Sequence, residues 1–323
     1  MIAEALQAHD ASPARIRHIL VVVNCKAGGV IQLPSLPADL RRIVGSHGRV
    51  VATQRPGDVS KAIAQGLQDG VDTVALCGGD GTSRVALTAL AEAYGARPWP
   101  RIALLSGGTL NTIARNLGCH APAGRQLKRL LASEKPLIMR RPLLRVNDHV
   151  GFIFGAQTVA RILAAYYERG ASPRGAVLLA LRMVSGAAVR SRFVRDLFQP
   201  ATTDVTADGR SVGRFRFTGL VASVVPVPAV GMRVLHRATE DGGFHLIGTE
   251  QTASGILPEV GRLWVGLPVT TMSVDLVARQ ASMSFQEPMP FTVDGDLFAA
   301  RRVDLTATAP IEVMAPGRDA PPS

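Results

Sequence analysis

Val74-Ala75-Leu76-Cys77-Gly78-Gly79-Asp80-Gly81-Thr82 is an apolar run that ends in three glycines bracketing one carboxylate. Beyond it, Val85, Leu87, Leu90, Ala91 and Tyr94 recur at a helical rather than an alternating spacing. The stretch predicts a buried parallel strand, a tight turn and a helix that starts on the turn. Glycines there allow positive φ and let a ligand approach bare backbone. The amides that open the following helix would favour an anionic group. Asp80 lies in the same turn and would repel a phosphate unless a divalent cation stood between them. A Mg²⁺-phosphate site accounts for the glycines and the carboxylate together. The bland alternative is an ordinary strand-to-helix turn with a solvated aspartate.

The same device recurs on either side. Residues 16–23 read as a buried strand ending in Asn24-Cys25-Lys26-Ala27-Gly28-Gly29. Asn24 offers donor and acceptor and Lys26 a positive charge, although the GxxxxGK[ST] spacing of a P-loop is absent. Residues 101–105 form a third strand, running into Ser106-Gly107-Gly108-Thr109 and a short helix over 110–117 that Gly118 stops. Between these units, 36–44 and 59–67 are predicted helices, the second with Asp58 as its N-cap, and 49–53 is a short strand. In a parallel sheet such turns all lie at the carboxyl edge of the strands, where ligands bind in open α/β folds. Three converging glycine loops are harder to dismiss than one.

After Pro136 the rhythm changes to short β-like runs at 143–146, 150–154, 215–225, 244–248, 271–277, 281–285 and 303–308, separated by Gly, Pro, Asp or Asn. That pattern predicts an antiparallel β-sandwich or barrel. The expected fold is therefore α/β plus all-β. A three-layer nucleotide-binding domain with a parallel sheet spans 15–138, and an antiparallel β-sandwich lipid-binding domain with a helical insert spans 139–309. A return of the segment near 310–318 to the first domain is left open, and the tail 315–323 is expected to fray.

The insert, 158–193, and its edge carry Arg161, Arg169, Arg174, Arg182, Arg190, Arg192 and Arg195 against the single acid Glu168. Leucines, Val177, Met183 and Val184 lie among them. Such a helical pair suits adsorption to an anionic bilayer, or equally a helix that covers one face of the sandwich with its arginines in water. Across the chain, 36 basic residues exceed 25 acidic ones by 11, at 47 % hydrophobic content: a folded protein whose surface favours anionic partners. With only 5 % aromatic residues, stacking platforms for nucleic acid are scarce. Cys25, Cys77 and Cys119 form no CxxC pair or zinc spacing, and no apolar run is long enough to span a bilayer. The N-terminus lacks the form of a signal peptide. These features point to a cytoplasmic protein, peripherally associated with the inner face of the membrane. An exposed sheet edge could pair two β domains into a homodimer.

Gly78-Gly79-Asp80-Gly81-Thr82 resembles the GGDGT signature of the diacylglycerol kinase catalytic-domain family, to which ceramide and sphingosine kinases are related. Asn24-Cys25-Lys26-Ala27-Gly28 is similar to that family's NPxSG turn. Thr53 with Gly57-Asp58 matches its threonine strand and helix start, and Leu105 to Arg115 its PxGTxNDxAR loop. Glu240-Asp241-Gly242-Gly243 resembles the acidic DG turn, and Val293-Asp294-Gly295-Asp296 the DGE motif. The sequence departs from the pattern at Arg84 and Val85, where Asn-Glu is usual, at Thr112 in place of Asp, and at Asp296 in place of Glu.

The resemblance implies ATP- and Mg²⁺-dependent phosphoryl transfer to the hydroxyl of a lipid: diacylglycerol, ceramide or a sphingoid base. It implies Asp80, then Asp296, as the base or the Mg²⁺-linked carboxylate, with Asp241 and Asp294 as further metal contacts. Gly78, Gly79, Gly81 and Thr82 would cradle phosphates. Asn24, Lys26, Thr53, Gly107, Gly108, Thr109 and Asn111 would complete the nucleotide site. A kinase of a soluble acceptor and a degenerate nucleotide- or lipid-binding regulator are the alternatives.

Overall fold

The computed structural model describes residues 15–108, 111–170, 173–189, 191–226, 234–238, 242–265, 267 and 269–315. They form two compact units, one running up to Arg141 and resuming at Ala309, the other Pro142–Thr308.

The first unit is built on β1 (Ile19–Asn24), β2 (Gly48–Thr53), β3 (Thr73–Gly78), β4 (Arg101–Ser106) and β5 (Leu137–Arg141), joined by the last strand of the chain, β16 (Ile311–Ala315). Their order is β2-β1-β3-β4-β16-β5, parallel throughout except for the β16–β5 pair. Ile19 to Val23 are all fully buried, so an unbroken apolar run fits a strand covered on both faces. Helices α1 (Gly28–Ile31), α2 (Leu36–Val44), α3 (Pro56–Gln68), α4 (Asp80–Tyr94), α5 (Thr112–Asn116) and α6 (Ala123–Ala132) follow the strands. Leu36, Leu40 and Val44, one turn apart on α2, pack with Leu127 and Leu130 of α6 on Val21, Val23, Ala75 and Leu105. On the opposite face α3 lies so close that a Cβ at Gly66 would stand 2.9 Å from Leu20 Cδ2, and α3 packs in turn against α4. Those are the three layers.

Two local expectations need correction. Asp58 is not the N-cap of α3: Arg55 is, and Asp58 sits at the third helical position, accepting bonds from Gln54 N (3.0 Å) and Arg55 N (2.9 Å). Those bonds hold its carboxyl below the usual range. Ala315 is no frayed tail residue but the buried end of β16, zipped against Leu137, while 316–323 lie outside the described residues.

The second unit contains β6 (Leu144–Val146), β7 (His149–Gly151), β8 (Ile153–Gln157), β9 (Ala201–Ala207), β10 (Arg210–Phe217), β11 (Gly219–Ser223), β12 (Phe244–Thr249), β13 (Val274–Ala278), β14 (Gln280–Val293) and β15 (Asp296–Ala307). All pair antiparallel, in the order β13-β12-β11-β8-β14-β15-β6-β7, with β9 on β14 and β10 on β9. The long β14 serves two neighbours, β9 through Ala281–Phe285 and β8 through Phe291–Val293. Its register against β15 shifts between Ser284 and Met289. A bulge bends a strand and raises its twist, which lets one strand turn the corner between the two faces of the β domain. Phe154, Leu220, Phe244, Leu246, Phe291 and Val293, alternating along their strands, fill the core.

Three two-residue hairpins share one chemistry. Asn147, Asp208 and Asp294 each open a turn at φ near +48°, a conformation that Asn and Asp tolerate better than other residues with a Cβ. Each also reaches back with its side chain to main-chain amides: Asn147 to Asp304, Asp208 to Arg279 and Gln280, Asp294 to Phe152 and Ile153. After β8 come α7 (Thr158–Glu168), α8 (Pro173–Ala188) and α9 (Arg192–Leu197), the expected insert. Between β12 and β13 lie α10 (Ala253–Ile256) and α11 (Val260–Val265), which the sequence reading did not anticipate.

Candidate active site

The loops after β1, β3 and β4 meet at the carboxyl edge of the parallel sheet, and they meet through backbone. Gly107 N donates to Gly78 O at 3.1 Å, and Val30 N donates to Gly107 O at 3.2 Å. A Cβ on Gly107 would stand 2.8 Å from Gly78 N, one on Gly29 would stand 2.8 Å from Gly107 O, and one on Gly108 would overlap Gly79 Cα. Gly78, Gly79, Gly107 and Gly108 all have negative φ or extended backbone, so positive φ is not what requires glycine here. They are glycines because three chains touch here with no room for a side chain.

Polar side chains tie the loops together. Asn24 Nδ2 donates to Thr82 Oγ1 (2.8 Å), while its Oδ1 accepts from Lys26 N (2.9 Å), joining the first loop to the start of α4. Asn111, in the left-handed conformation at φ 50°, closes its own turn: Oδ1 accepts from Gly108 N and Nδ2 donates to Gly108 O. Thr53 is placed differently from the reading above. It is buried, and its hydroxyl donates to Val23 O, which makes it a strand clamp rather than a loop surface. Thr109 lies outside the described residues. Lys26 is exposed at the loop cluster.

Asp80 is the first residue of α4, and its carboxylate caps the next helix, with Oδ2 accepting from Thr112 N and Oδ1 from Ile113 N, both at 3.1 Å. Burial raises its pKa, opposed by those two bonds and by the Arg115 guanidinium. The position that reads Thr112 instead of Asp thus meets Asp80 through its main-chain amide. The amides of Asp80 and Gly81, in the first turn of α4, have no carbonyl of their own helix to bond and open an anion-binding end. Buried Cys77 is pushed up to about 12 and Cys119 to about 11, so both stay thiols.

This arrangement of loops coincides with a match of residues 18–138 to the diacylglycerol kinase catalytic domain. Over 134 residues the chain is 33 % identical to the YegS-like lipid kinase of Klebsiella pneumoniae, a match that spans 42 % of this chain and 43 % of the relative. The chain thus covers less than half the length of that curated relative. Two solved structures from Bacillus anthracis share the fold. One, a diacylglycerol kinase, is 14 % identical with a TM-score of 0.65 over 94 % of this chain and 98 % of its own. The other, a proposed diacylglycerol kinase, is 16 % identical with a TM-score of 0.72 over 95 % and 100 %.

The remaining acidic residues singled out for the diacylglycerol kinase pattern lie in the second unit. Asp294 is buried, and both its oxygens accept main-chain bonds, Oδ1 from Phe152 N (3.0 Å) and Ile153 N (2.9 Å), Oδ2 from Phe152 N (3.1 Å). Gly151 makes the seat, because a Cβ there would overlap the Asp294 carboxylate. In this unit Asp294 is an anchor of the β14–β15 hairpin. Asp296, half-buried, follows that turn and pairs with Val293; Tyr167 donates its hydroxyl to Gly295 O at 2.7 Å beside it. Asp241 lies outside the described residues.

Among the described residues no three His, Cys, Asp or Glu side chains gather into a metal cage. Mg²⁺ in nucleotide sites is held by one or two carboxylates plus phosphates and water, so a single Asp80 beside free helix amides fits a phosphate-borne ion. Tyr167 carries no motif and was missed by sequence reasoning; its bond to the Gly295 carbonyl is what draws attention to it.

Proposed function

We propose that the chain is an ATP-dependent kinase that transfers the γ-phosphoryl group to the hydroxyl of a lipid. The observation that carries this reading is the direct backbone contact of three glycine loops beside the open amides of α4. A nucleotide with its Mg²⁺ would supply the transferable group and neutralise its charge. The protein's own part is positioning. Gly78, Gly79, Gly81 and Thr82 present backbone and hydroxyl to phosphates, Lys26 adds positive charge, and Asn24 and Asn111 hold the loops in place. A lipid alcohol is a poor nucleophile and needs a carboxylate to take its proton as attack proceeds. Asp80 is the first choice, because burial raises its affinity for a proton. Asp296 is the second.

An anionic inner-leaflet surface is the partner we assign to α8. Val177 (60 % exposed), Leu178 (64 %), Leu181 (62 %) and Val184 (55 %) crowd one side of this helix, while Leu179 is buried on the other. A helix apolar on both sides needs a second cover. Its only charges are Arg174 and Arg182, with no acid, which suits anionic headgroups.

The test is transfer of labelled γ-phosphate to a panel of lipids in mixed micelles, with Asp80→Asn and Asp296→Asn run beside the wild type. One labelled lipid and loss of most activity in the variants supports the kinase. ATP binding with no transfer to any lipid or soluble acceptor favours the regulator instead. That second reading rests on Asp80 being engaged by two amides and on Arg84, Val85 and Thr112 standing where the pattern has polar and acidic groups.

A further inference from the structure

We infer that Tyr167 is a positioning residue for the Asp296 carboxylate, acting through the peptide that joins Gly295 to Asp296. Tyr167 stands in the last turn of α7, and its hydroxyl donates to Gly295 O at 2.7 Å, the length of a good O–H···O bond. Asp294 and Gly295 form the two-residue turn between β14 and β15, at φ 48° and 99°. Glycine is the residue whose backbone is least constrained, so a carbonyl there gains most from an outside partner. A Cβ at Gly295 would stand 3.2 Å from the Tyr167 hydroxyl, tighter than an ordinary contact, so the bare glycine also lets the phenol in.

The bond is surplus to what the hairpin needs. The turns at Asn147-Asp148 and Asp208-Gly209 have the same length and the same opening conformation, φ 49° and 47°. Each is pinned by its first side chain, as Asp294 pins this one. Yet among the described residues no side chain of another element donates to Asp148 O or Gly209 O. Nor is the bond a strong stability device. Tyr167 is 44 % exposed, and water competes for both partners of a bond so near the surface. The turn that receives the extra anchor is the one followed by a carboxylate, Asp296, where the others lead into His149 and Arg210.

The carbonyl of Gly295 and the amide of Asp296 belong to one planar peptide. Holding its oxygen fixes the tilt of that plane, and so the line along which the Asp296 side chain leaves β15. Asp296 itself pairs with Val293, so the peptide is held from both sides. The helix behind the clamp is firmly seated. At its start Thr158 Oγ1 lies within bonding distance of Leu197 O (2.9 Å) and Thr218 O (2.7 Å), and Val159 fills the space where a Cβ on Gly155 would lie. At its end the Tyr166 ring centroid lies 5.7 Å from that of Tyr167. Resting on the lipid-kinase reading, with Asp296 as a carboxylate of the transfer, the bond acts on the rate of the chemical step. A reacting group misplaced by about an ångström costs far more in rate than one exposed bond contributes to stability.

The experiment uses the full chain as wild type, Tyr167→Phe, Asp296→Asn and the double variant. Labelled γ-phosphate is transferred from ATP to short-chain diacylglycerol, ceramide and sphingoid base in mixed micelles, and kcat and KM are taken on the lipid that is labelled. Hydrogen exchange over 294–298 is read without nucleotide, with thermal unfolding alongside. Tyr167→Phe is expected to speed exchange at the turn and to leave the unfolding temperature within about 3 °C of wild type. It should lower kcat roughly ten-fold, with KM for ATP and lipid unchanged. In the Asp296→Asn background it should lower kcat no further, because the two residues act as one unit. An additive fall in the double variant, or a fall that comes with a raised KM for both substrates, would mean a general structural role and overturn the inference. Unchanged exchange overturns it too, as does an unchanged kcat in Tyr167→Phe where Asp296→Asn loses most activity; both leave the kinase reading standing. Full transfer by Asp296→Asn removes the group that Tyr167 is held to position, and the inference falls alone. Wild type that labels no lipid sinks the kinase reading, and the positioning role falls with it whatever the exchange shows.

Discussion

Removing the Asp80 side chain separates the chemical role proposed for this residue from the capping role that the fold gives it. In Asp80→Ala, Thr112 N and Ile113 N each lose a 3.1 Å bond to a carboxylate. Bonds to charged groups contribute about 1.5–3 kcal/mol each, and an N-cap about 0.5–2 kcal/mol in all. The burial that raises this carboxyl's pKa works against the larger figure. A loss of about 2 kcal/mol is therefore expected, confined first to α5 and the loop before it. Hydrogen exchange read on a peptide over 112–117 should report it as a protection drop of roughly 30-fold. Phosphoryl transfer should fall further than this, because the nucleotide loop loses its support as well as a carboxylate. Unchanged exchange at 112–117 together with lost transfer would refute the capping argument and leave Asp80 with a purely chemical role.

Gly108→Ala drives a Cβ into Gly79 Cα, where only backbone could yield; a cost of about 1–3 kcal/mol and weakened nucleotide binding should appear in melting curves and ATP titrations. Asn24→Ala removes the 2.8 Å bond to Thr82 and should cost about 1 kcal/mol in chemical denaturation, with Asn24→Asp costing less because the Thr82 hydroxyl can turn to donate to the carboxylate. Gly151→Ala should destabilise the β domain by crowding the Asp294 anchor, while ATP binding by the first unit stays at the wild-type level. His245 is fully buried, and burial first, with His236 and Arg237 adding to it, holds its pKa below 6.5 despite the 2.8 Å contact with Asp275. A depressed pKa favours the neutral ring in the fold, so this contribution is present above pH 6.5 and lost as pH falls through the folded value. Unfolding measured from pH 7.5 to 5 should show a decline that His245→Gln flattens.

Much of the first unit is legible because its rules are local. A run such as Ile19 to Val23 admits few structures other than a strand covered on both faces, and Leu36, Leu40 and Val44 repeat at the period of a helix. The second unit is harder. β9, with Thr202, Thr203, Asp204 and Thr206, has little apolar signal of its own and is a strand because it pairs on both sides, with β10 and β14. Helices α10 and α11 lie in a stretch punctuated by Gly255, Pro258 and Gly261, where local propensity argues against them.

For the site, the sequence by itself singled out a set of candidates: the glycines, an aspartate and the asparagines at strand ends. Only the tertiary structure decided what each one does. The glycines at 78, 107 and 108 let backbones touch, which is a relation between residues about thirty positions apart and leaves no trace in local spacing. Asp80 caps a helix that begins 32 residues later, and Asp294 anchors a strand 142 residues earlier. Tyr167 stands out for the same reason, since its bond to Gly295 joins residues 128 positions apart and is a property of the folded surroundings, not of the residue.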